Sequence, residues 1–293
     1  MKRREFLLVS AGGLLAARIS ARVLSGSVPV QETPTAEEAT ILPLPFSVSR
    51  REGRFLLSDD VIIVIPSGVT TDELVIAKRL RDELADWLGL ILTIKDSSAV
   101  PRGSRVIMVG MSKSPFIRAA LDDVKAADSE VASLPEAYSL HVRPNIAVIS
   151  GADSRGLNHG FQSLRQLISS EGGAPSLPCL DVLDRPQKPF RGLKLYLPGQ
   201  QNIAFFKRFI RDFVAAQKYN TLIMELNAGM RLDTHPELNA GWRELVLDTN
   251  YSRRNYPPGS LHGREQNSCH QDTADGGFLE KQEVAELADY VRS

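Results

Sequence analysis

The sequence lacks the features that mark several common classes of protein. Its two cysteines, Cys179 and Cys269, stand in no Cys-x-x-Cys pair and no Cys/His metal spacing, which excludes a disulfide framework and a zinc module. It has no excess charge, because 35 Lys and Arg balance 35 Asp and Glu, so we expect no nucleic-acid partner. No apolar run is long enough for a stable membrane span.

The composition is that of an ordinary folded protein. Hydrophobic residues make up 43% and charged residues 24%, and the 21 glycines and 17 prolines are near average usage. A chain of 293 residues is long enough for about two domains after any targeting segment. A sizeable hydrophobic core is therefore expected.

The sequence begins with a basic and then an apolar segment. Arg3 and Arg4 precede an apolar stretch over residues 6–17, an order typical of export signals, and the paired arginines resemble the twin-arginine type. A buried or amphipathic N-terminal helix is the alternative, but the stretch has no 3.6-residue pattern. We predict an export signal over residues 1–27, a linker over residues 28–40, and a periplasmic or secreted location.

From residue 41 onward, short β-rich runs alternate with helical periodicity, which predicts an α+β N-terminal domain, a sheet with helices, over residues 41–185. The last two strands of this domain are expected to form a hairpin across Pro144. Strands are predicted at residues 61–66, 105–110, 137–142 and 146–151, and helices at residues 70–88 and 161–168.

The second half of the sequence has a strand-helix-strand order. Strands at 191–197 and 221–226 flank a helix at 203–217, and the right-handed crossover rule makes those strands parallel neighbours. A polar segment over residues 227–277 follows, far longer than usual connections, which favours a functional βα-loop before a further helix. Two βα units can neither close a barrel nor cover both faces of a parallel sheet, so we expect the sequence to be cut short.

Several motifs in the first half resemble a known domain. The segments 135–140, 151–156 and 160–167 are similar to the N-terminal α+β domain of family 20 glycoside hydrolases, the β-N-acetylhexosaminidases. The same domain type precedes barrels in other sugar hydrolases, so it leaves the family of the barrel open.

Motifs in the second half resemble the barrel of the same family more specifically. Asp184-Arg185-Pro186 followed by residues 189–193, and residues 206–210 with 218–222, are similar to its first strand, first helix and second strand. The resemblance therefore implies an incomplete, truncated TIM barrel over residues 186–293. Departures from the family pattern imply a divergent branch: Tyr196 stands near the place of a usual Asp, and residues 224–231 replace a segment similar to Asp-Gln-Gly-Trp-Arg.

The resemblance implies hydrolysis of a terminal N-acetyl-hexosamine from a carbohydrate partner, with retention of configuration. The 2-acetamido carbonyl oxygen of the sugar is the nucleophile, and an adjacent Asp-Glu pair orients that group and protonates the leaving oxygen. In the family this pair follows the fourth barrel strand, which places it beyond Ser293. The resemblance therefore implies no catalytic residue within this chain, an inactive fragment, and no metal or cofactor.

Three residues are candidates for substrate binding, the first from the resemblance and the other two from their position in the barrel. Arg191 matches an arginine that grips the hydroxyls at carbons 3 and 4 of the sugar; alternatively it anchors the domain interface on an acid such as Asp184. Glu225 and Asn227 fall at the carboxyl end of the second barrel strand, where barrel enzymes keep working residues. A plain alternative for Glu225 is a cross-strand pair with Lys194.

Aromatic and histidine residues of the segment 227–277 have two interpretations each. The aromatic residues either stack on a sugar ring or pack within the protein. The histidines and nearby aspartates have no metal-ligand spacing, which favours a solvated polar loop over a metal site. These residues are Trp242, Tyr251 and Tyr256, and His235, His262, His270, Asp272 and Asp275.

Two other functions stay open from the sequence. Tyr196 and the replaced segment are compatible with a non-catalytic carbohydrate-binding or interaction protein. A hydrolase of another family that shares the N-terminal domain, such as a glucuronidase, is the other alternative.

Overall fold

A computed structural model describes residues 41–68, 71–99, 103–126, 133–170, 173–226, 229–244 and 278–292. The predicted export signal and linker therefore lie outside the described residues. Within the described ranges, no helix combines the length and the apolar character that crossing a bilayer requires.

The first part of the described chain is built on one mixed sheet of seven strands, which confirms a mixed α/β fold. The strands are β1 (Ser47–Leu56), β2 (Ile62–Pro66), β3 (Thr93–Ser97), β4 (Val106–Met111), β5 (Tyr138–Arg143), β6 (Ile146–Gly151) and β7 (Ser176–Asp184). Their spatial order is β1-β7-β5-β6-β4-β2-β3. Strands β3, β2, β4 and β6 run parallel, and β5, β7 and β1 join them as successive antiparallel neighbours.

Helices cover both faces of the central strands. Successive side chains of a strand point to opposite faces, and β4 is buried along its whole length. The helices are α1 (Thr71–Leu88), α2 (Pro115–Asp123) and α3 (Ser154–Leu167). In β4, Ile107 and Val109 belong to the core beneath α1 and α3, whereas Val106 and Met108 belong to the core beneath α2. Burial on both faces explains why the sequences of the central strands are continuous apolar runs.

The strands predicted around residues 61–66, 105–110, 137–142 and 146–151 are confirmed, as are the hairpin and the two helices. The sequence reading missed β1, β3, β7 and α2. Strand β7 contains Pro178, which pairs with Arg54 at the point where the register of β1 shifts. Gly53 has a φ of +99° there, so this local irregularity accommodates a proline inside a strand.

The second part of the described chain contains a two-stranded parallel sheet, as the crossover rule predicts. Strand β8 (Gly192–Tyr196) pairs with β9 (Thr221–Glu225) from Gly192 opposite Thr221 to Tyr196 opposite Glu225. Helix α4 (Ile203–Phe209) connects them and continues as a π-helical stretch over Ile210–Ala215. Such a unit occurs in open sheets as well as in barrels.

The segment predicted as one long loop contains structure in its described part, residues 229–244, and the further helix predicted after it is confirmed. Met230 forms a parallel bridge to Leu279, a helix α5 covers residues 236–244, and α6 spans Lys281–Arg292. Helices α4 and α6 share a buried cluster, and the Tyr290 hydroxyl donates to the Lys207 carbonyl at 3.0 Å. The cluster consists of Leu197, Phe206, Ile210, Val214, Leu279 and Leu287.

Candidate functional site

Arg191 lies directly before β8, at the amino ends of the parallel strands, and its guanidinium faces the seven-stranded domain. It forms an ion pair with Glu136, and its Nη2 lies 3.2 Å from His159 Nε2. Its Nε donates to the Lys218 carbonyl at 2.8 Å and its Nη1 to the Lys188 carbonyl at 2.9 Å. The guanidinium is therefore held by groups from both parts of the chain.

Glu136 owes its position to the N-terminus of α3. Asp153 caps that helix by accepting from the Gly156 amide at 2.8 Å, and its second carboxylate oxygen accepts from the Glu136 amide at 3.0 Å. A side chain at Gly156 would overlap the Ala137 carbonyl oxygen, so the helix can approach this closely only with glycine. On the opposite side, Asn220 Nδ2 donates to Glu136 Oε1 at 3.2 Å.

The electrostatics of this cluster keep Glu136 ionised. Burial favours its protonated form, but hydrogen bonds from Arg191, His159 and Asn220 outweigh burial and lower the pKa of Glu136 to about 2. Burial lowers the pKa of His159, against the raising effect of Glu136. At neutral pH the cluster therefore contains a charged Arg191–Glu136 pair beside a neutral imidazole.

A second buried pair lies beside the first. Lys218 Nζ is 2.9 Å from Asp184 Oδ2 and 2.8 Å from the Tyr138 hydroxyl, which lies 2.6 Å from Ser163 Oγ. Burial lowers the pKa of Lys218 and Asp184 opposes this shift, whereas burial and the Asp184 charge raise the pKa of Tyr138 well above its ordinary value. Asp184, named above as an acid for Arg191, instead pairs with Lys218.

Glu225 lies at the other end of the parallel pair. It is the partner of Tyr196 in the register, at the carboxyl ends of β8 and β9. Its carboxylate forms the cross-strand ion pair with Lys194 that the sequence analysis gave as the plain alternative, and Lys194 Nζ lies 5.3 Å from the centre of the Tyr196 ring. Asn227 lies outside the described residues.

The structure does not bring Arg191 and Glu225 together. Five residues of β8 separate the amino ends from the carboxyl ends, which corresponds to about 16 Å at the usual rise per residue. Arg191 therefore lies at the interface with the seven-stranded domain, and Glu225 at the edge where βα proteins place ligands.

Most of the other candidate residues lie outside the described ranges. These are Tyr251, Tyr256, His262, His270, Asp272 and Asp275. Trp242 is half-buried on α5. The Nδ1 of His235 lies 3.1 Å from a carboxylate oxygen of Glu237.

Two pairs of consecutive acidic residues, Asp72-Glu73 and Asp82-Glu83, lie on α1 and were not considered in the sequence analysis. Glu73 is buried and accepts from the Met111 amide at 2.9 Å. Glu83 lies 3.0 Å from Arg165 Nε. Both glutamates thus make contacts that connect α1 to the rest of the seven-stranded domain.

The network around Arg191 was also missed, although a signal for it was present. Glu136 lies in the motif 135–140, His159 directly before the motif 160–167, and Lys218 and Asn220 in the motif 218–222. The segments that carry the resemblance therefore meet one another at this interface. The motifs that resemble the family are therefore the segments through which the two parts of the chain contact each other.

Sequence comparison agrees with this organisation. The family described as glycosyl hydrolase family 20, domain 2, matches residues 38–185. A beta-hexosaminidase of Akkermansia muciniphila is 31% identical over 172 residues, covering 56% of this chain and 30% of that protein. The chain thus spans about a third of the length of this relative.

Solved structures show the same fold. A β-N-acetylhexosaminidase of Bacteroides fragilis matches with a TM-score of 0.56 at 20% identity, over 87% of this chain and 43% of that one. An exo β-N-acetylglucosaminidase of Vibrio harveyi matches with a TM-score of 0.59 at 18% identity, over 87% and 35%. With its family-20 domain forming the seven-stranded sheet, the chain belongs to glycosyl hydrolase family 20.

Proposed function

We propose that the chain is the N-terminal portion of an exported β-N-acetylhexosaminidase that removes terminal N-acetyl-hexosamine from a carbohydrate. The observation that carries this proposal is the parallel β8–β9 pair, joined through α4, directly after the family-20 domain. In this proposal residues 186–293 supply the first two βα units of a (β/α)₈ barrel. The packing of α6 against α4 supports it, because barrel helices pack side by side around the strands.

The proposed reaction is a substrate-assisted hydrolysis. The acetamido carbonyl oxygen attacks carbon 1, the bond to the leaving oxygen breaks, and a carboxylic acid donates its proton to that oxygen. The same carboxylate, now ionised, then takes a proton from water, whose oxygen attacks carbon 1 of the oxazolinium ring and restores the acetamido group, so the configuration is retained. This chemistry needs no metal and no cofactor.

The chain's own residues would contribute binding and scaffold. Tyr196, Glu225 and Asn227 would line the sugar site, since β8 and β9 end at this edge. For Arg191 we propose the interface role, because its guanidinium is occupied by Glu136. The Asp-Glu pair that performs the acid chemistry would follow a later strand. Residues 1–27 would direct the protein to the periplasm or outside the cell.

Chromogenic 4-nitrophenyl glycosides test this proposal. The 293-residue chain is expected to show no turnover of the N-acetyl-β-glucosaminide or the N-acetyl-β-galactosaminide, because loss of the general acid alone costs about 10²–10⁴-fold in rate. The complete product of the gene is expected to cleave at least one of them. Turnover by the 293-residue chain, or activity of the complete product on the β-glucuronide alone, would contradict the proposal.

A non-catalytic carbohydrate-binding protein is the second candidate. Tyr196 favours it, because it stands where the family resemblance implies an aspartate. Binding of N-acetylglucosamine by the complete gene product without turnover of any of the three glycosides would establish this candidate instead.

A further inference from the structure

A cavity of about 550 Å³ opens beside the Arg191 cluster. We call it the interface cavity. Its volume lies within the range of small-molecule sites. Apolar side chains form much of its wall, and Phe46 and Phe190 remain 56% and 63% exposed. The wall includes Pro43, Leu44, Phe46, Pro186 and Phe190.

The charges that line the interface cavity do not cancel. Glu136 is paired with Arg191, and Asp184 with Lys218. The wall also contains the cationic side chains of Arg185 and Lys188, for which the described residues provide no carboxylate within ion-pair distance. A cavity with an unmatched cation attracts an anionic ligand.

Arg185 has the geometry of a carboxylate receptor. Its guanidinium lies 5.4 Å from the centre of the Phe46 ring, which holds the planar group against an aromatic surface. Its Nε is buried and has no hydrogen-bond partner among the described residues. A buried donor without an acceptor is costly, and a carboxylate would satisfy it with a charge-assisted hydrogen bond.

His159 provides a second unsatisfied group. The residue is 5% exposed and lines the interface cavity. Its Nε2 faces Glu136 and Arg191, whereas its Nδ1 is buried without a partner among the described residues. A neutral imidazole nitrogen makes one hydrogen bond as donor or acceptor, so Nδ1 of His159 has its hydrogen bond still to make.

We propose that the interface cavity binds a small organic carboxylate attached to a ring with an apolar face. The carboxylate would bind Arg185, and the ring would lie against Phe46 and Phe190. Two sources share this chemistry, a sugar acid and an aromatic acid. The site lies at the amino ends of β8 and β9, so it is separate from the proposed sugar site and does not depend on hexosaminidase activity.

Calorimetric titration of the 293-residue chain tests the proposal. The probes are methyl β-D-glucuronoside and phenylacetate, with the uncharged methyl β-D-glucoside and phenylacetamide as matched controls. At least one carboxylate should bind about tenfold or more tightly than its uncharged counterpart. The tighter of the two carboxylates identifies the source. Absence of binding by both at about 10 mM would overturn the proposal.

Variants assign the binding to the cavity. Arg185→Gln should weaken carboxylate binding about ten- to a hundredfold, whereas Arg118→Gln, at an exposed arginine of α2 away from the cavity, should leave it unchanged. Arg185→Lys keeps the charge and loses the planar fork, so an intermediate loss is expected even if the glutamine variant folds poorly. Unchanged affinity in a folded Arg185→Lys protein would contradict the assignment to Arg185.

Discussion

Glu136 joins the two parts of the described chain through a single side chain. One carboxylate oxygen accepts from Asn220 and the other faces Arg191 and His159. Its backbone amide is held by Asp153, the cap of α3. Because the charged form is retained down to low pH, the contact between the two parts depends on a group that titrates only in acid.

The pH dependence of stability should reveal this residue. The pKa of Glu136 is about 2 in the folded chain against an ordinary 4.5, so its stabilising contribution is present above pH 4.5 and is lost as the pH falls toward 2. We expect Glu136→Gln to lower the free energy of unfolding by about 3 kcal/mol at pH 7 and by much less near pH 2. Urea unfolding across this range measures both.

Glu52→Gln is the matched control for this experiment, since Glu52 is an exposed acid of β1. It should change the free energy of unfolding little at any pH. An equal loss of unfolding free energy in Glu136→Gln at pH 7 and at pH 2 would show that the carboxylate charge is not the cause.

Side-chain contacts differed in how far the sequence could predict them. The Lys194–Glu225 pair could be predicted from the sequence, because both residues lie on strands that the sequence predicts to be parallel neighbours. Arg191 and Glu136 are separated by 55 positions, and their contact depends on how α3 and β8 pack. A charged pair across such an interface has no periodic signature in the sequence.

Elements with a continuous apolar pattern were predicted well, and irregular or polar elements were not. Strands β4 and β6 are buried on both faces and rich in Val and Ile, so their pattern was unambiguous. Strand β3 carries Lys95 and Asp96, and β1 is exposed at nearly every position. Only pairing within the sheet identifies these two as strands, and pairing is a property of the fold.

The close approach of α3 to the backbone directly before β5 can be tested by mutation. Gly156→Ala would push a methyl group into the Ala137 carbonyl oxygen, and we expect a loss of about 1–3 kcal/mol in the free energy of unfolding. Gly241→Ala on α5 meets nothing within 4 Å and should be neutral or stabilising by up to about 1 kcal/mol. Thermal and urea unfolding compare the two, and equal effects would disprove the close approach.

Two buried ion pairs lie at the interface between the two parts of the described chain, beside further contacts of Arg165 with Asp212 and of Gln166 with the Ala216 carbonyl. Arg191 with Glu136 and Lys218 with Asp184 connect the β8–β9 segment to the seven-stranded sheet. The sequence predicted the order of the two parts along the chain, but it did not predict which side chains form the contacts between them. If this interface positions the segment, weakening it should loosen the segment before the sheet.

Amide hydrogen exchange can measure this difference. In Arg191→Lys the planar fork is lost while the charge remains, and we expect amides of β9 to exchange about tenfold faster. Amides of β4, in the middle of the sheet, should keep their protection. Arg208→Lys, at an exposed arginine of α4, serves as the control. Equal acceleration in β4 and β9 would indicate that the two parts open as one unit.

The two outer strands of the seven-stranded sheet have a consequence for self-association. Strand β1 carries Arg50, Arg51, Glu52 and Arg54 and is interrupted at Gly53, and β3 at the opposite border carries Lys95 and Asp96. Charges and irregularities at such borders disfavour the joining of two sheets into one. Copies of this protein that associate would therefore do so through surfaces other than the borders of this sheet.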